Sequence, residues 1–256
     1  MAILRACILC VLALVPRVAD AGCSPIALDT PRVMLAGAAP DALTITFLGH
    51  ASFLIESPGG VRAVTDYNGY NVPVEPPDIA TMNHAHSTHW TDHPDPRIPH
   101  VLRGWRIEGK PADVDLSVGD LHVANLPTNI RDWQGGTEVY GNSIFLFESA
   151  GVCFAHLSHL HHLLTEQDLV LLGHIDVVMA PVDGVYTMSQ PDVAAVLEQI
   201  HPRLVLPMHY FMREVVDRFV DLLRDRYAVR VSPSPTLRVS RATLPERPTI
   251  VIQPTN

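Results

Sequence analysis

The spacing of apolar residues changes partway along this chain of 256 residues, from short separated runs to longer segments of helical period. Short apolar runs between glycine, proline and polar turns are typical of β-strands. They predict strands at residues 43–48, 52–56, 61–65, 101–107, 121–126, 143–148 and 152–155, with another at 79–82. We expect the first three strands to form an antiparallel meander, because only short turns separate them.

From residue 165 onward the pattern alternates between helix and strand. The segment Thr165–Asp168 resembles a capping sequence and predicts a helix to about Leu172. Further helices are expected at residues 190–200 and 213–226, strands at 176–180 and 204–206, and two or three closing strands within 228–253. Strands first and alternation later predict an α/β protein with two sheets between flanking helices.

The first 21 residues have the features of a secretory signal peptide. Arg5 gives a positive start, residues 6–15 are an apolar run too short to span a bilayer, and residues 19–21 form a small-x-small cleavage site. A buried N-terminal helix is the alternative interpretation. We therefore expect an exported protein, periplasmic or secreted, whose residues 22–256 form a single domain.

Two cysteines, Cys23 and Cys153, remain in the predicted mature chain. Lipid attachment at Cys23 is less expected than simple export, because Asp20 stands where a lipobox has an apolar residue. An oxidising compartment permits the two cysteines to pair. The position of Cys153 in an apolar strand instead favours a plain buried residue.

Composition narrows the classes of partner. The chain is 47% hydrophobic, which is enough for a sizeable core, and its formal net charge of −9 argues against a nucleic-acid groove. We expect a small-molecule substrate, no nucleic acid and no integral membrane span. The oligomeric state is not indicated by any pattern in the sequence.

The most chemically distinctive stretch is Asn83–Trp90, which contains His84, His86 and His89 directly after an apolar run. Neutral imidazole is the commonest protein ligand for zinc and also suits iron and copper. His84 and His86 are two apart, so on an extended strand end both rings point the same way. This spacing predicts a metal site; a solvated histidine-rich loop is the alternative.

Two later segments also place histidines after strands. Residues 156–162 contain four histidines, of which not all can share one face, and His209 follows the strand at 204–206. A lone histidine at a strand end is usually structural. Three histidine-bearing strand ends in one chain favour a shared site, because sites of layered α/β proteins gather where strand ends meet loops.

In order, the run at residues 46–55, H-x-H-x-x-H, the histidine-rich turn and Pro207–Tyr210 resemble the metallo-β-lactamase superfamily. Within it, the lactonase-like and phospholipase-D-like hydrolases are the most similar branch. The resemblance covers roughly residues 43–212. It implies an α/β fold, an αββα sandwich with metals at one edge of two sheets. It also implies hydrolysis of an ester, lactone, amide or phosphodiester by a metal-bound hydroxide.

Residue by residue, the resemblance makes His84, His86, His89 and His209 metal ligands. Ser158-His159 stands in place of the family's Gly-Asp turn, so His159 replaces a bridging carboxylate as a ligand. The family's intermediate histidine has no clear match. Asn129 is the best candidate there, and whether His161 or His162 joins the site is left open.

The motif aspartate is also missing, because Thr88 stands in its place. With two carboxylates fewer, two cations would repel each other with less compensation. We therefore expect zinc, or another transition metal, as one tightly held ion with a weak second site at most. Asp66 is predicted to orient a ligand or take a proton, with a turn cap as the alternative. His50 is predicted to line the pocket or to be a buried, hydrogen-bonded histidine.

These observations predict an exported metal-dependent hydrolase that uses a metal-bound hydroxide on an ester, lactone or phosphodiester-type substrate. The alternative is a non-catalytic metal- or ligand-binding protein on the same fold, because the aspartates that organise a dinuclear site are absent.

Overall fold

The computed structural model describes residue 23, residues 42–132 and residues 134–255. The predicted signal peptide at residues 1–21 lies outside the described residues. Among those that are described, no helix has both the length and the apolar character needed to cross a membrane.

Fourteen strands and three helices make up the described fold. The strands are β1 Leu43–Gly49, β2 Ser52–Glu56, β3 Arg62–Val64, β4 Ile79–Met82, β5 His100–Arg103, β6 Asp115–Val118, β7 Leu121–Arg131, β8 Thr137–Ser149, β9 Val152–His156, β10 Val177–Pro181, β11 Leu204–Met208, β12 Ala228–Val231, β13 Thr236–Val239 and β14 Thr249–Ile252. The helices are α1 Glu166–Leu172, α2 Gln190–Ile200 and α3 Arg213–Leu223.

The strands form two mixed sheets. The first has the order β13-β1-β2-β3-β4-β5, and the second has the order β12-β14-β11-β10-β9-β8-β7-β6. β1, β2 and β3 pair antiparallel, which confirms the predicted meander. β3, β4 and β5 run parallel, as do β9, β10 and β11. The carboxyl ends of these parallel strands share one edge of their sheet, and there the histidine-bearing turns begin.

The main core lies between the two sheets, where Phe47 and Phe53 of the first sheet pack in one cluster with Phe145 and Phe154 of the second. Helices α2 and α3 cover the other face of the second sheet through residues such as Phe219. The predicted mixed α/β fold with two packed sheets is thereby confirmed.

The outer face of the first sheet has a different cover. Its cluster includes Val64 and Met82 from strands and Tyr67, Ile98 and Trp90 from the connecting segments. In the described part of the chain, loops therefore cover this face where the αββα description expects helices.

Capping hydrogen bonds form at the N-termini of α1 and α2, where the sequence predicts these helices to begin. Thr165 accepts a hydrogen bond from the N–H of Asp168, whose carboxylate in turn accepts from the N–H of Thr165. Ser189 caps α2, with Pro191 in its first turn. Such reciprocal caps satisfy N–H groups that have no partner within the helix.

The preference for an unpaired Cys153 is wrong: Cys23 and Cys153 form a disulfide with their Cα atoms 5.4 Å apart. It joins the segment before β1 to the start of β9, across a sequence separation of 130 residues. The sequence pattern indicated burial, and both cysteines are buried. Apolar periodicity carries no information about which buried side chains are neighbours.

The hairpin β7–β8 is longer than predicted. Its strands continue through Arg131 and from Thr137, well beyond the apolar residues 121–126 and 143–148. The added portion carries polar and exposed residues. An apolar-run criterion misses strand residues in which polar positions interrupt the apolar ones, such as the buried Thr128 and Asn142.

Candidate metal centre

Turns that follow five strands bring the predicted site residues to one edge of the molecule. His50 follows β1, Asp66 follows β3, the segment 84–89 follows β4, His159 follows β9, and His209 follows β11. Each position lies a few residues past a strand end. Rigid strands thus set the origin of each turn, and the turn conformation sets where the side chain points.

Four of these turn residues adopt a left-handed backbone. His50, Asp66, Ser158 and His209 have φ values of 53°, 44°, 48° and 59°, and they are half of the eight described non-glycine residues with positive φ. This conformation is unfavourable for residues with a Cβ atom, and such strain clusters at functional sites. The fold holds these residues against their local preference.

Four histidines converge on one point. The ligand nitrogens of His50, His86, His89 and His209 all lie within 4.8 Å of one another. The ring of His159 lies 5.1 Å from those of His86 and His89 and 5.2 Å from that of His209, between ring centroids. The structure therefore brings five of the seven predicted site residues into one histidine cluster.

A buried carboxylate stands behind His89. Nδ1 of His89 donates to Oδ2 of Asp66 at 2.6 Å, and both side chains are fully buried. The hydroxyl of Ser158 donates to both oxygens of Asp66 at 2.9 and 2.7 Å, and the amide of Asn83 donates at 3.3 Å. Asp66 is thus fully engaged in orienting its neighbours, which fits the predicted orienting role better than proton transfer.

A second carboxylate stands behind His209. Oδ1 of Asp183 lies 3.0 Å from Nδ1 of His209, a close contact without good hydrogen-bond alignment. Oδ2 of Asp183 accepts backbone N–H groups from residues 185, 186 and 187, at 2.9, 2.5 and 3.2 Å. Asp183 therefore closes the turn after β10 with one carboxylate oxygen and faces the histidine cluster with the other.

The two carboxylates determine which ring nitrogen of His89 and of His209 carries the lone pair. Asp66 and Asp183 are acceptors when ionised, so they favour the proton of each neighbouring ring on Nδ1. The Nε2 atoms of His89 and His209 then present lone pairs to each other, and they lie 3.1 Å apart. Two facing lone pairs at this distance repel each other, and a cation coordinated by both nitrogens relieves that repulsion.

Thr88 joins two other rings of the cluster. Its Oγ1 lies 2.8 Å from Nε2 of His50 and 2.8 Å from Nδ1 of His86. One hydroxyl can donate to one ring and accept from the other. At the position of the motif aspartate, Thr88 is therefore a neutral link that holds His50 and His86 in place.

His159 gives the strongest indication that the site binds a further group. Both of its ring nitrogens are buried without a hydrogen-bond partner among the described residues. A buried imidazole without partners is costly, since its polar atoms lose their hydration. The rings of His86, His89 and His209, with His50 or His159 as a fourth donor, fit a transition metal, which prefers imidazole nitrogen.

The structure does not bring His84 into this cluster. Its Nδ1 lies 3.0 Å from Oε1 of Glu138, and its ring packs against Trp90 and Trp105 at 5.6 and 5.4 Å. The side chain is also partly exposed. An alternating backbone would direct His84 and His86 to the same side, but the segment after Met82 consists of bends and turns.

The remaining histidine candidates bond to backbone. Nε2 of His156 lies 2.8 Å from the carbonyl of Ala51. Nδ1 of His161 contacts the carbonyl of Asn129 at 3.1 Å, and Nε2 of His162 accepts the N–H of the same residue at 3.2 Å. The side chain of Asn129 accepts from the N–H of Tyr140. These contacts secure the turn against β7 and provide no ligand.

Burial keeps His50, His86 and His159 neutral. Desolvation, reinforced by the neighbouring rings, lowers the pKa of His86 to about 4, that of His50 to about 3 and that of His159 to about 2. Burial alone would raise the pKa of Asp66, but His89 and His156 lower it to about 2. Neutral rings beside ionised carboxylates are the protonation states that a metal requires.

Known proteins with similar sequences and structures agree with this fold. The family model of the beta-lactamase superfamily domain matches residues 44–209. A metal-dependent hydrolase of Archaeoglobus fulgidus is 25% identical over 202 residues, which span 69% of this chain and 87% of the relative. A metal-dependent hydrolase of Herpetosiphon aurantiacus is 26% identical over 202 residues, which span 65% of this chain and 82% of the relative.

A crystal structure from Thermotoga maritima, assigned to the metallo-beta-lactamase superfamily, has a similar fold. Its TM-score is 0.62 at 24% identity, and the match covers 84% of this chain and all of that one. At this identity the likeness concerns the fold alone. Since the family model spans more than half of the sequence, the chain belongs to the metallo-β-lactamase superfamily.

Proposed function

We propose that this protein is an exported metal-dependent hydrolase that cleaves an ester, lactone or phosphodiester-type substrate. The observation that carries the proposal is the pair of Nε2 atoms of His89 and His209, 3.1 Å apart with a carboxylate behind each ring. The similar proteins of Archaeoglobus fulgidus and Herpetosiphon aurantiacus are named metal-dependent hydrolases, and this activity is extended here to the present chain.

Three histidines would hold the metal, namely His86, His89 and His209, with His50 or His159 as the fourth ligand. A transition metal, when bound, supplies Lewis acidity that activates water for attack on a carbonyl or phosphoryl centre. Imidazole ligands and a neutral Thr88 leave the first coordination layer without negative charge. The nearest formal negative charges are those of Asp66 and Asp183, one layer out, which favours a single zinc or similar ion over a dinuclear centre.

The chain's own residues position this chemistry. Asp66 holds His89 by a 2.6 Å hydrogen bond and has no free oxygen for proton transfer. His50 is neutral, contacts the cluster, and has a buried Nδ1 without a hydrogen-bond partner among the described residues. Because its pKa is lowered to about 3, His50 is a weak base near neutral pH, and its Nδ1 instead suits a metal ligand or a hydrogen-bond acceptor.

One observation favours a second function. Both carboxylates of the cluster face the Nδ1 atoms of histidines, so neither is free to act as a general base. A non-catalytic metal- or ligand-binding protein needs no such base. The same fold and the same donor set serve that alternative equally well.

Purified protein tested on a panel of esters, lactones and phosphodiesters, with and without chelator, separates the two functions. A hydrolase turns over at least one class, loses that activity with chelator and regains it with added zinc. A protein that binds metal and hydrolyses nothing on the panel supports the binding function instead.

Export is supported by the disulfide between Cys23 and Cys153, because disulfides persist in oxidising compartments. N-terminal sequencing of protein expressed from the full gene tests it directly. We expect the mature chain to begin near Gly22 with no free thiol. A protein that retains residues 1–21 and both thiols would contradict export.

A further inference from the structure

Four exposed apolar side chains lie on the loops that follow β10 and β11. Val185 and Tyr186 are 68% and 64% exposed, and Phe211 and Met212 are 79% and 62% exposed. Large apolar side chains grouped at the surface mark binding sites more often than isolated ones do. We refer to these four residues as the apolar rim.

The apolar rim is continuous with the histidine cluster. The ring of Phe211 stacks on that of His50, with centroids 5.1 Å apart and an interplanar angle of 29°. The N–H groups of Val185 and Tyr186 donate to Asp183, whose other oxygen faces His209. A group bound at the cluster would therefore have Phe211 beside it, with the loop of Val185 and Tyr186 anchored next to His209.

The two loops that carry the rim are fixed to each other. The side-chain amide of Gln190 donates to the carbonyls of Val182 and Val215, at 2.8 Å in both cases. These carbonyls lie at the base of the first loop and in the first turn of α3. The rim is thus held in place before any ligand arrives, which lowers the entropic cost of binding.

Met212 occupies the N-cap position of α3 and makes no side-chain capping hydrogen bond. Serine, threonine, aspartate and asparagine are preferred at this position because they accept the free N–H groups of the helix. A methionine there sacrifices local stability. Its apolar, adaptable side chain is suited to contact with a ligand.

Formal charges near the cluster do not favour an anionic substrate. The carboxylates of Asp66 and Asp183 face the histidines. Arg131, which approaches the same loop, directs its guanidinium to the carbonyl of Thr187 at 3.5 Å. A phosphodiester would meet negative charge beyond the metal, whereas an uncharged ester or lactone would not.

We propose that the apolar rim binds an uncharged acyl or aryl group of the substrate, so that the enzyme selects neutral esters or lactones with long apolar chains. This inference rests on the proposed hydrolase function and specifies its substrate class. Phe211 is the central contact, because it connects the rim to the ring of His50.

Hydrolysis of p-nitrophenyl acetate, butyrate and octanoate by the zinc-loaded protein tests the selectivity. We expect kcat/KM to rise with chain length, and Phe211→Ala to lower it about tenfold for octanoate but about twofold or less for acetate. Val185→Ala should act in the same direction. The matched control is Val170→Ala on α1, since Val170 is also 68% exposed.

Binding of two uncharged ketones, 2-decanone and 2-butanone, gives a readout that needs no turnover. Tighter binding of 2-decanone to the wild type, lost in Phe211→Ala and kept in Val170→Ala, supports the rim even if no ester is hydrolysed, in which case only the hydrolase function fails. Equal affinity for both ketones, or faster turnover of bis-p-nitrophenyl phosphate than of any ester, would overturn the inference.

Discussion

Oδ1 of Asp183 lies 3.0 Å from Nδ1 of His209, whose Nε2 lies 3.1 Å from Nε2 of His89. The corresponding contact of His89 is with Asp66 at 2.6 Å. Two histidines from different sheets thus each have a carboxylate beside Nδ1, and the contact of His89 is the better aligned of the two. Because the motif aspartate is replaced by Thr88, the negative charge of the site is in the layer behind the ligands.

This relationship predicts the effect of Asp183→Asn. The amide keeps the size of the side chain but removes the charge that holds the proton of His209 on Nδ1. We expect zinc affinity, measured by competition with a chromogenic chelator, to fall about 10–100-fold.

Asp132→Asn is the matched control for that change. Asp132 also closes a turn by accepting backbone N–H groups, from Gln134 and Gly136, but contacts no histidine in the part of the chain that the structure describes. An equal loss of zinc affinity in both variants would show that turn stability, and not the contact with His209, explains the effect.

His84 and His86 belong to one sequence motif, but only His86 lies in the histidine cluster. The sequence spacing predicts that both bind metal, whereas the structure places Nδ1 of His84 against Glu138. We expect His86→Ala to abolish metal binding and His84→Ala to retain it, as measured by bound metal per chain after dialysis. Loss of metal in both variants would restore His84 as a ligand.

Thr88→Asp tests the missing carboxylate. Oγ1 of Thr88 lies 2.8 Å from a nitrogen of His50 and from one of His86, so an aspartate there adds negative charge inside the cluster. We expect metal stoichiometry to rise from about one towards about two, or the hydrolytic rate to increase, because a carboxylate offsets the repulsion between two cations. Thr88→Asn is the isosteric control.

If metal stoichiometry and hydrolytic rate are both unchanged in a folded Thr88→Asp protein, the present donor set is a distinct type of metal site and not an incomplete dinuclear one. The family argument for hydrolysis then weakens. The binding function becomes the better account.

The buried histidines predict how the stability of the metal-free protein depends on pH. Burial lowers the pKa of His86 from 6.5 to about 4 and that of His50 from 6.5 to about 3. Between about pH 6.5 and about pH 4 the unfolded chain therefore binds more protons than the folded one, and stability falls as pH falls. Asp66, with its pKa lowered to about 2, loses its contribution only at much lower pH.

Thermal unfolding of the metal-free protein from about pH 7.5 to about pH 5 measures this dependence. We expect Tm to decrease across the range, and His86→Gln to make the decrease shallower by removing one titrating group. The exposed His93→Gln is the control and should leave the slope unchanged. A Tm that does not change over this range would contradict the neutral, buried state of the cluster.

Much of the site could be predicted from sequence, because strand ends determine where side chains converge. His86, His89, His159 and His209 each follow an apolar run, and the runs identify strands whose ends share an edge. The direction of His84 could not be predicted in the same way. It depends on bends after β4 and on a partner, Glu138, that lies 54 residues away.

The contact of Asp183 with the histidine cluster could not be predicted from the sequence. Its sequence, Asp183-Gly184, is typical of loops, and its contact with His209 depends on the parallel register of β10 and β11. The disulfide is a similar case, because no local pattern relates Cys23 to Cys153. Local periodicity predicts elements and burial, whereas pairings between distant residues follow from the tertiary arrangement.

We expect the five-histidine cluster to hold a transition metal. Elemental analysis of the gently purified protein, followed by zinc titration of the chelator-treated protein, tests it most directly. We predict about one ion per chain, which chelator removes and titration restores. The variants His86→Ala and His209→Ala should regain no ion. A folded, metal-free protein that takes up no zinc, iron or copper would contradict it.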